Sequence, residues 1–195
     1  MGKIFCIMGK SSTGKDTIYN NLINSYSLKL KPIIPYTTRP MREGEENGRE
    51  YFFVNDEQLE ELEKKESIIE LREYQTYHGV WRYFTVNDEQ IDLENNDYLM
   101  IGTIESYVSI AKYFGEQIVI PILIEVEDGK RLKRAVEREM AQDQPKYEEL
   151  CRRFLADGVD FSDEKKREAG IVKTFQNQDL QDCLEEVKKY IMMLV

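Results

Sequence analysis

The stretch Gly9-Lys10-Ser11-Ser12-Thr13-Gly14-Lys15-Asp16-Thr17 has the residue types and spacing to cradle phosphate. It fits the pattern G-x-x-x-x-G-K-[ST] up to its last position, where Asp16 replaces the hydroxyl residue that would ligate magnesium. Such a loop turns backbone N–H groups inward, and a helix starting behind it adds positive potential. Lys15 would reach the outer phosphates of a nucleoside triphosphate, with Gly9, Ser12, Thr13, Gly14, Asp16 and Thr17 around them. Asp16 admits two readings. Its carboxylate could repel the triphosphate, or take the magnesium role directly or through a water. Carboxylates are ordinary magnesium ligands, so a working site with altered metal geometry is expected. Thr17 brings a hydroxyl, but one position further along a helix it points about 100° away.

A second constellation lies in residues 36–53, YTTRPMREGEENGREYFF. Arg39 and Arg42 stand three apart beside Thr37 and Thr38, and a Gly-containing turn and Tyr51 follow. Paired arginines suit bidentate recognition of phosphate. This stretch resembles the monophosphate-binding segment of guanylate kinases, whose pattern reads T-T-R-x-P-R-x-G-E-x-x-G-x-x-Y. Thr37, Thr38, Arg39, Arg42, Gly44, Glu45, Gly48 and Tyr51 fall on it; Pro40 comes one position early and Met41 takes the proline's place. The resemblance runs from Ile4 to about Leu180.

What the resemblance implies can be followed along the chain. ATP, with Mg2+, would sit on the loop 9–17 and pass its terminal phosphoryl group to GMP or dGMP. Arg39, Arg42 and Tyr51 would hold the acceptor phosphate. Glu70 in SIIEL would read the guanine, with Tyr83 on the phosphate and Thr85 on the base in WRYFT. Arg134 and Arg138 in RLKRAVERE, and Arg153 in ELCRRF, align with arginines that close on the transferring group and stabilise its charge. Taken singly, each would read as part of a solvated helix face. With Lys15 they make the expected catalytic set, and no nucleophilic residue is needed. Asn177 resembles an adenine-contacting residue, with Gln178 where the family has an acid.

This chain departs from the family at the acceptor side. Pro35 replaces a serine, and Leu99-Met100-Ile101-Gly102 stands where the family reads LDID, so two acids are lost near the base and metal. Thr103 and Glu105 follow closely. Two other functions are therefore weighed: a protein-binding module that has lost catalysis, and a kinase for another nucleotide or small phosphorylated acceptor. Such modules erode the phosphate loop, whereas Gly9, Gly14 and Lys15 persist here.

Composition sets bounds on all of this. The 195 residues carry a net charge of -10, which disfavours a broad nucleic-acid footprint. One histidine, His78, leaves little room for His-based metal or hydrolase chemistry and is read as a loop or edge-strand residue. Three cysteines without metal-ligand spacing are expected to be reduced thiols. No apolar run nears the roughly 20 residues of a membrane span, and the chain starts without a cleavable leader, so a cytoplasmic protein is expected, as monomer or weak homodimer.

The elements that must position these residues are legible as well. Residues 3–8 read as a buried strand, and a helix follows Lys15 with Ile18 and Leu22 on one face. Three prolines keep 31–40 extended. A strand is predicted over 51–54, then a helix begun by an Asn55/Gln58 capping box, then strands over 67–74 and 80–86. VNDEQ recurs at 54–58 and 86–90, which predicts the same strand-to-helix cap twice. Strands over 97–101, 118–126 and 171–175 alternate with helices over 104–114, 130–139, 146–155 and 180–194. That alternation predicts a P-loop-type α/β fold: a parallel sheet flanked by helices (core 1–35 and 86–195), a mixed β-rich insertion near 36–85 and a helical lid near 138–150.

Overall fold

The computed structural model describes residues 1–76 and 79–195, so the reading of His78 lies outside the described residues. Five consecutive apolar residues make β1 (Ile4–Met8), buried along its whole length. The chain continues through α1 (Lys15–Ile23), β2 (Lys31–Pro32), β3 (Tyr36–Thr37), β4 (Phe52–Phe53), α2 (Asp56–Lys64), β5 (Ile68–Thr76) and β6 (Gly79–Val86). After these come β7 (Tyr98–Ile101), α3 (Ile104–Phe114), β8 (Val119–Glu125) and α4 (Asp128–Met140). Then follow α5 (Tyr147–Asp160), α6 (Asp163–Glu168), β9 (Thr174–Gln176) and α7 (Leu180–Met192).

The main sheet has the order β2-β7-β1-β8-β9 and is parallel throughout. Alternate residues of β1 supply its two faces, as strand geometry requires. Ile4, Cys6 and Met8 pack with Ile104, Tyr107 and Ile110 of α3. Phe5 and Ile7 pack with Ile18 and Leu22 of α1 and with Leu184, Val187 and Ile191 of α7. Helices on both faces therefore cover a sheet too apolar to meet water. No helix among the described residues is long and apolar enough to cross a membrane.

A second, four-stranded sheet, β4-β3-β6-β5, is built from residues between β2 and β7. It mixes a parallel β3–β4 pair with antiparallel neighbours. The pairing of β5 with β6 slips between Ile68, opposite Val86, and Glu70, opposite Thr85. A bulge of this kind re-aims the side chains beyond it. Strict alternation would set Glu70 beside Ile68; instead Ile68 and Leu71 share the apolar side with Phe84 and Val86. Glu70 and Arg72 are thereby turned to the other face, with Tyr83 and Thr85 opposite.

Several expectations are corrected. The first VNDEQ caps α2 as expected, Asn55 and Gln58 exchanging side-chain-to-backbone bonds. The second starts no helix. Its Asp88 accepts the Tyr36 hydroxyl at 2.7 Å and its Gln90 accepts the Ile34 N–H at 2.7 Å, so both side chains anchor the β2–β3 link rather than a helix end. Helix α6 was not anticipated, α5 runs five residues past the expected 155, and the last strand falls at Thr174–Gln176 rather than 171–175.

Candidate active site

The loop between β1 and α1 is shaped by contacts that only glycine permits. A Cβ on Gly9 would lie 2.6 Å from the Ile124 carbonyl oxygen and 2.8 Å from Thr13 Oγ1. Gly14 has φ 83° and lies against Asn177, whose Nδ2 would be 2.5 Å from an added Cβ. Ser12 also has a positive φ, and its hydroxyl is buried without a partner among the described residues. Thr13 Oγ1 donates to the Lys10 carbonyl at 2.8 Å and locks the turn. Helix α1 then starts on Gly14 with no side-chain cap, whereas Asn55, Thr103, Glu127, Ser162 and Asp179 cap α2, α3, α4, α6 and α7. The first-turn N–H groups of α1 are left for an anion.

Lys15 Nζ lies 3.7 Å from Asp16 Oδ2, and the Asp16 side chain is 68% exposed. The described residues hold no group of three or more metal-ligating side chains. Magnesium usually takes one or two carboxylates and completes its shell with water and substrate phosphate. An exposed carboxylate beside the uncapped turn fits that donor set.

Asn177, expected to contact adenine, is engaged by the loop itself. It is buried, and its Nδ2 donates to the Thr13 carbonyl at 2.7 Å, so it braces the loop from below. Arg134 reaches the Asn177 carbonyl at 3.4 Å and Arg153 reaches Ser11 Oγ at 3.3 Å. Arg153 thus touches the loop itself, and Arg134 the residue that braces it. Arg138, one turn beyond Arg134 on α4, is exposed.

Two residues that the sequence reading passed over complete this side. Arg131, 1% exposed, donates from Nη1 to Asp157 Oδ2 at 2.9 Å and from Nε to Asp128 Oδ1 at 3.0 Å. Its guanidinium carbon also lies 3.9 Å from the Phe154 ring centre. Asp157 Oδ2 in turn accepts the Ser11 N–H at 2.8 Å. One buried pair therefore ties α4 and α5 to the glycine loop. The available signal was position: Arg131 precedes Ala135 by one helical turn, on the buried side of α4.

The residues expected on the acceptor side lie on the second sheet and on the segment 38–51 that joins β3 to β4. Arg39 is 4% exposed and forms a bidentate pair with Glu45, at 2.7 and 2.6 Å. It also donates to the Pro40 carbonyl at 2.9 Å and packs over Tyr51 and Phe53. A guanidinium has five N–H donors, so two remain for a ligand. Burial opposes the Arg39 charge but is outweighed by Glu45, which raises its pKa. The bond from Arg39 holds the Glu45 carboxyl below its ordinary value, burial notwithstanding. Arg42 is exposed beside them, its N–H bound to Glu45 at 2.8 Å. The rings of Tyr51 and Tyr83 meet edge-on at 5.6 Å, and those of Tyr74 and Tyr83 do the same.

Glu70 and Thr85 face each other, Thr85 Oγ1 donating to Glu70 Oε1 at 2.8 Å. The sequence reading missed Arg72. Its Nε donates to Glu70 Oε2 at 2.8 Å and its Nη1 to Thr103 Oγ1 at 3.4 Å, linking β5 to the start of α3. Behind Thr103, a Cβ on Gly102 would lie 2.6 Å from Ser106 Oγ and 2.9 Å from Cys6 Sγ. Burial pushes the Cys6 thiol up to about 12, so it packs as a neutral group.

Comparison with known proteins adds to this geometry. The guanylate kinase family model matches residues 1–193. A guanylate kinase from Porphyromonas gingivalis is 27% identical over 211 residues, spanning 100% of this chain and 99% of that protein. One from Mycoplasma mobile is 29% identical, over 97% of this chain and 92% of its own. A crystal structure of guanylate kinase from Anaplasma phagocytophilum superposes with a TM-score of 0.70 at 16% identity, covering 98% of this chain and 85% of that one, and so supports the fold.

Proposed function

The chain belongs to the guanylate kinase family and is a nucleoside monophosphate kinase; from that premise we propose that it transfers the terminal phosphoryl group of ATP to GMP or dGMP. The observation that carries the acceptor is the buried Glu70 carboxylate, oriented by Thr85 on the sheet face that also holds Tyr83. A fixed carboxylate accepts the ring N–H of guanine. Arg39, Arg42 and Tyr51 supply the donors for the acceptor phosphate, with Glu45 preorganising Arg39.

On the donor side, the loop N–H groups and Lys15 hold the triphosphate. Asp16 would hold Mg2+, which supplies neutralisation of phosphate charge when bound. Arg134, Arg138 and Arg153 bring positive charge to the oxygens between which the phosphoryl group moves. Phosphoryl transfer asks little covalent chemistry of the protein, so positioning and charge stabilisation supply most of the acceleration. Closure of the 36–85 insertion and the lid near 138–150 would exclude water and leave the acceptor as the sole nucleophile.

The test is ADP formation from Mg-ATP with GMP, dGMP, AMP, CMP and UMP. Turnover with GMP and dGMP is expected. Activity confined to another acceptor would move the specificity, and no turnover with any of them would overturn the kinase reading in favour of a binding module.

A further inference from the structure

The acceptor pocket contains a charge that its expected ligand set does not require. Arg72, two residues after Glu70 and on the same face of β5, is 13% exposed against a Glu70 side chain that is 3% exposed. A carboxylate has about four acceptor positions. Three on Glu70 are filled: Oε1 takes Thr85 Oγ1 at 2.8 Å and Arg72 Nη2 at 3.3 Å, and Oε2 takes Arg72 Nε at 2.8 Å. One acceptor position remains, on Oε2.

Arg72 has donors to spare. Of its five N–H groups, two serve Glu70 and one serves Thr103, and the Tyr74 hydroxyl engages another. At least one is left on the guanidinium that already holds Glu70. The pocket therefore offers one acceptor and one charged donor side by side. The complementary edge is a ring N–H next to a carbonyl, as in the N1–H and O6 of a 6-oxopurine. Adenine has the reverse order, with a lone pair at N1 and an amino group at C6, and mismatches both groups.

The 2-amino group of guanine asks for a second acceptor. Gly102 brings no side-chain acceptor, and a Cβ there would meet Ser106 Oγ and Cys6 Sγ at 2.6 and 2.9 Å. Glu105 is exposed on the first turn of α3, and its charge acts on the Tyr74 hydroxyl. We propose that Arg72 is a specificity-determining residue that reads the purine O6 while Glu70 reads N1–H, leaving the 2-position unread. The acceptor class is then the 6-oxopurine nucleoside monophosphates, IMP as well as GMP. This rests on the proposed role of the Glu70 pocket as the acceptor-base site.

The test uses calorimetric binding of GMP, IMP and AMP to the full chain, and ADP formation with Mg-ATP, for the parent, Arg72→Met and Arg72→Lys. For the parent, IMP is expected within about 5-fold of GMP in Kd and kcat/KM, and AMP about 100-fold or more weaker, as befits reversed hydrogen-bond polarity. Arg72→Met should weaken GMP and IMP by about 10- to 100-fold, the scale of a charged hydrogen bond, and narrow their lead over AMP. Arg72→Lys should keep part of that lead. ATP affinity should stay unchanged in both, which separates lost base reading from a damaged fold. IMP binding about 100-fold weaker than GMP would overturn the inference while the GMP reading stands, as would an Arg72→Met enzyme with the parent's GMP-to-AMP ratio. Failure of GMP itself to bind or turn over would bring down the GMP reading, and this inference with it.

Discussion

Replacing Glu45 with glutamine should weaken the acceptor site through Arg39, which the carboxylate holds in place. Glu45 accepts from both terminal nitrogens of Arg39 and from the Arg42 N–H. Glutamine keeps one acceptor oxygen and turns an amino group toward the guanidinium. Arg39 is then left buried, at 4% exposure, with its charge uncompensated. Removing one partner of a buried pair costs about 3–5 kcal/mol, and the 17% exposure of Glu45 argues for the lower end, about 3 kcal/mol. For a domain of this size that lowers Tm by about 6–12 °C. The KM for GMP should rise about 10-fold as Arg39 loses its geometry, while the KM for ATP stays near the parent value. Thermal melts and two-substrate kinetics read both. A Tm within about 2 °C of the parent, the shift that about 1 kcal/mol or less would give, together with an unchanged KM for GMP would refute the argument.

The same pair sets a pH dependence. The Glu45 carboxyl titrates below its ordinary 4.5 in the folded chain, chiefly through its bond with Arg39. A group whose folded pKa is depressed stabilises the fold fully above its unfolded pKa, and that stabilisation is lost as the pH falls through the folded value. The stability gap between parent and Glu45→Gln should therefore be constant at neutral pH and shrink as the pH falls below 4.5.

Three further outcomes are expected. Asp157→Ala leaves Arg131 with Asp128 as its remaining carboxylate and the Ser11 N–H without its acceptor, and chemical denaturation should show a loss of about 1–3 kcal/mol, only part of it recovered by adding Arg131→Leu, which removes the charge but not the unpaired N–H. Gly9→Ala forces a methyl group onto the Ile124 carbonyl, and should cost about 1–3 kcal/mol of stability and much of the ATP affinity measured by titration. Asp16→Ala should raise the magnesium concentration needed for half-maximal turnover, whereas Asp16→Ser should stay near the parent; equal magnesium dependence in the parent and Asp16→Ala would remove Asp16 from the metal's shell.

What the sequence made legible was local. The glycine loop lies between a buried strand and a helix, so motif and context agree within one short stretch of sequence. The first VNDEQ carried its own cap, and Thr103 began α3 where the apolar period begins. The second VNDEQ shows the limit. The same five residues start no helix when Tyr36 and the Ile34 backbone claim their side chains, a choice made by distant chain. Arg131 was hidden for a related reason. In a run of five basic residues and two glutamates along 130–139, the one-turn spacing from Ala135 points to the buried side, but nothing local names the partners Asp157 and Phe154.

Arg72 was the least legible, and the reason is a single slip of register. Read with strict alternation, Ile68, Glu70 and Arg72 share one face of a strand, and a charged pair beside an isoleucine looks like a solvated edge. The bulge after Ile68 breaks that parity. It sends Ile68 and Leu71 to the apolar side and swings Glu70 and Arg72 together toward Thr85 and Thr103. A bulge spends one residue's pairing to re-aim every side chain beyond it, and no composition signal announces it. The same slip that makes Glu70 a buried acceptor necessarily delivers Arg72 to its side, because the two are an even step apart. The acid proposed to read the base and the cation proposed to limit what it can read are thus one structural event, and changing the register at Ile69 would remove both at once.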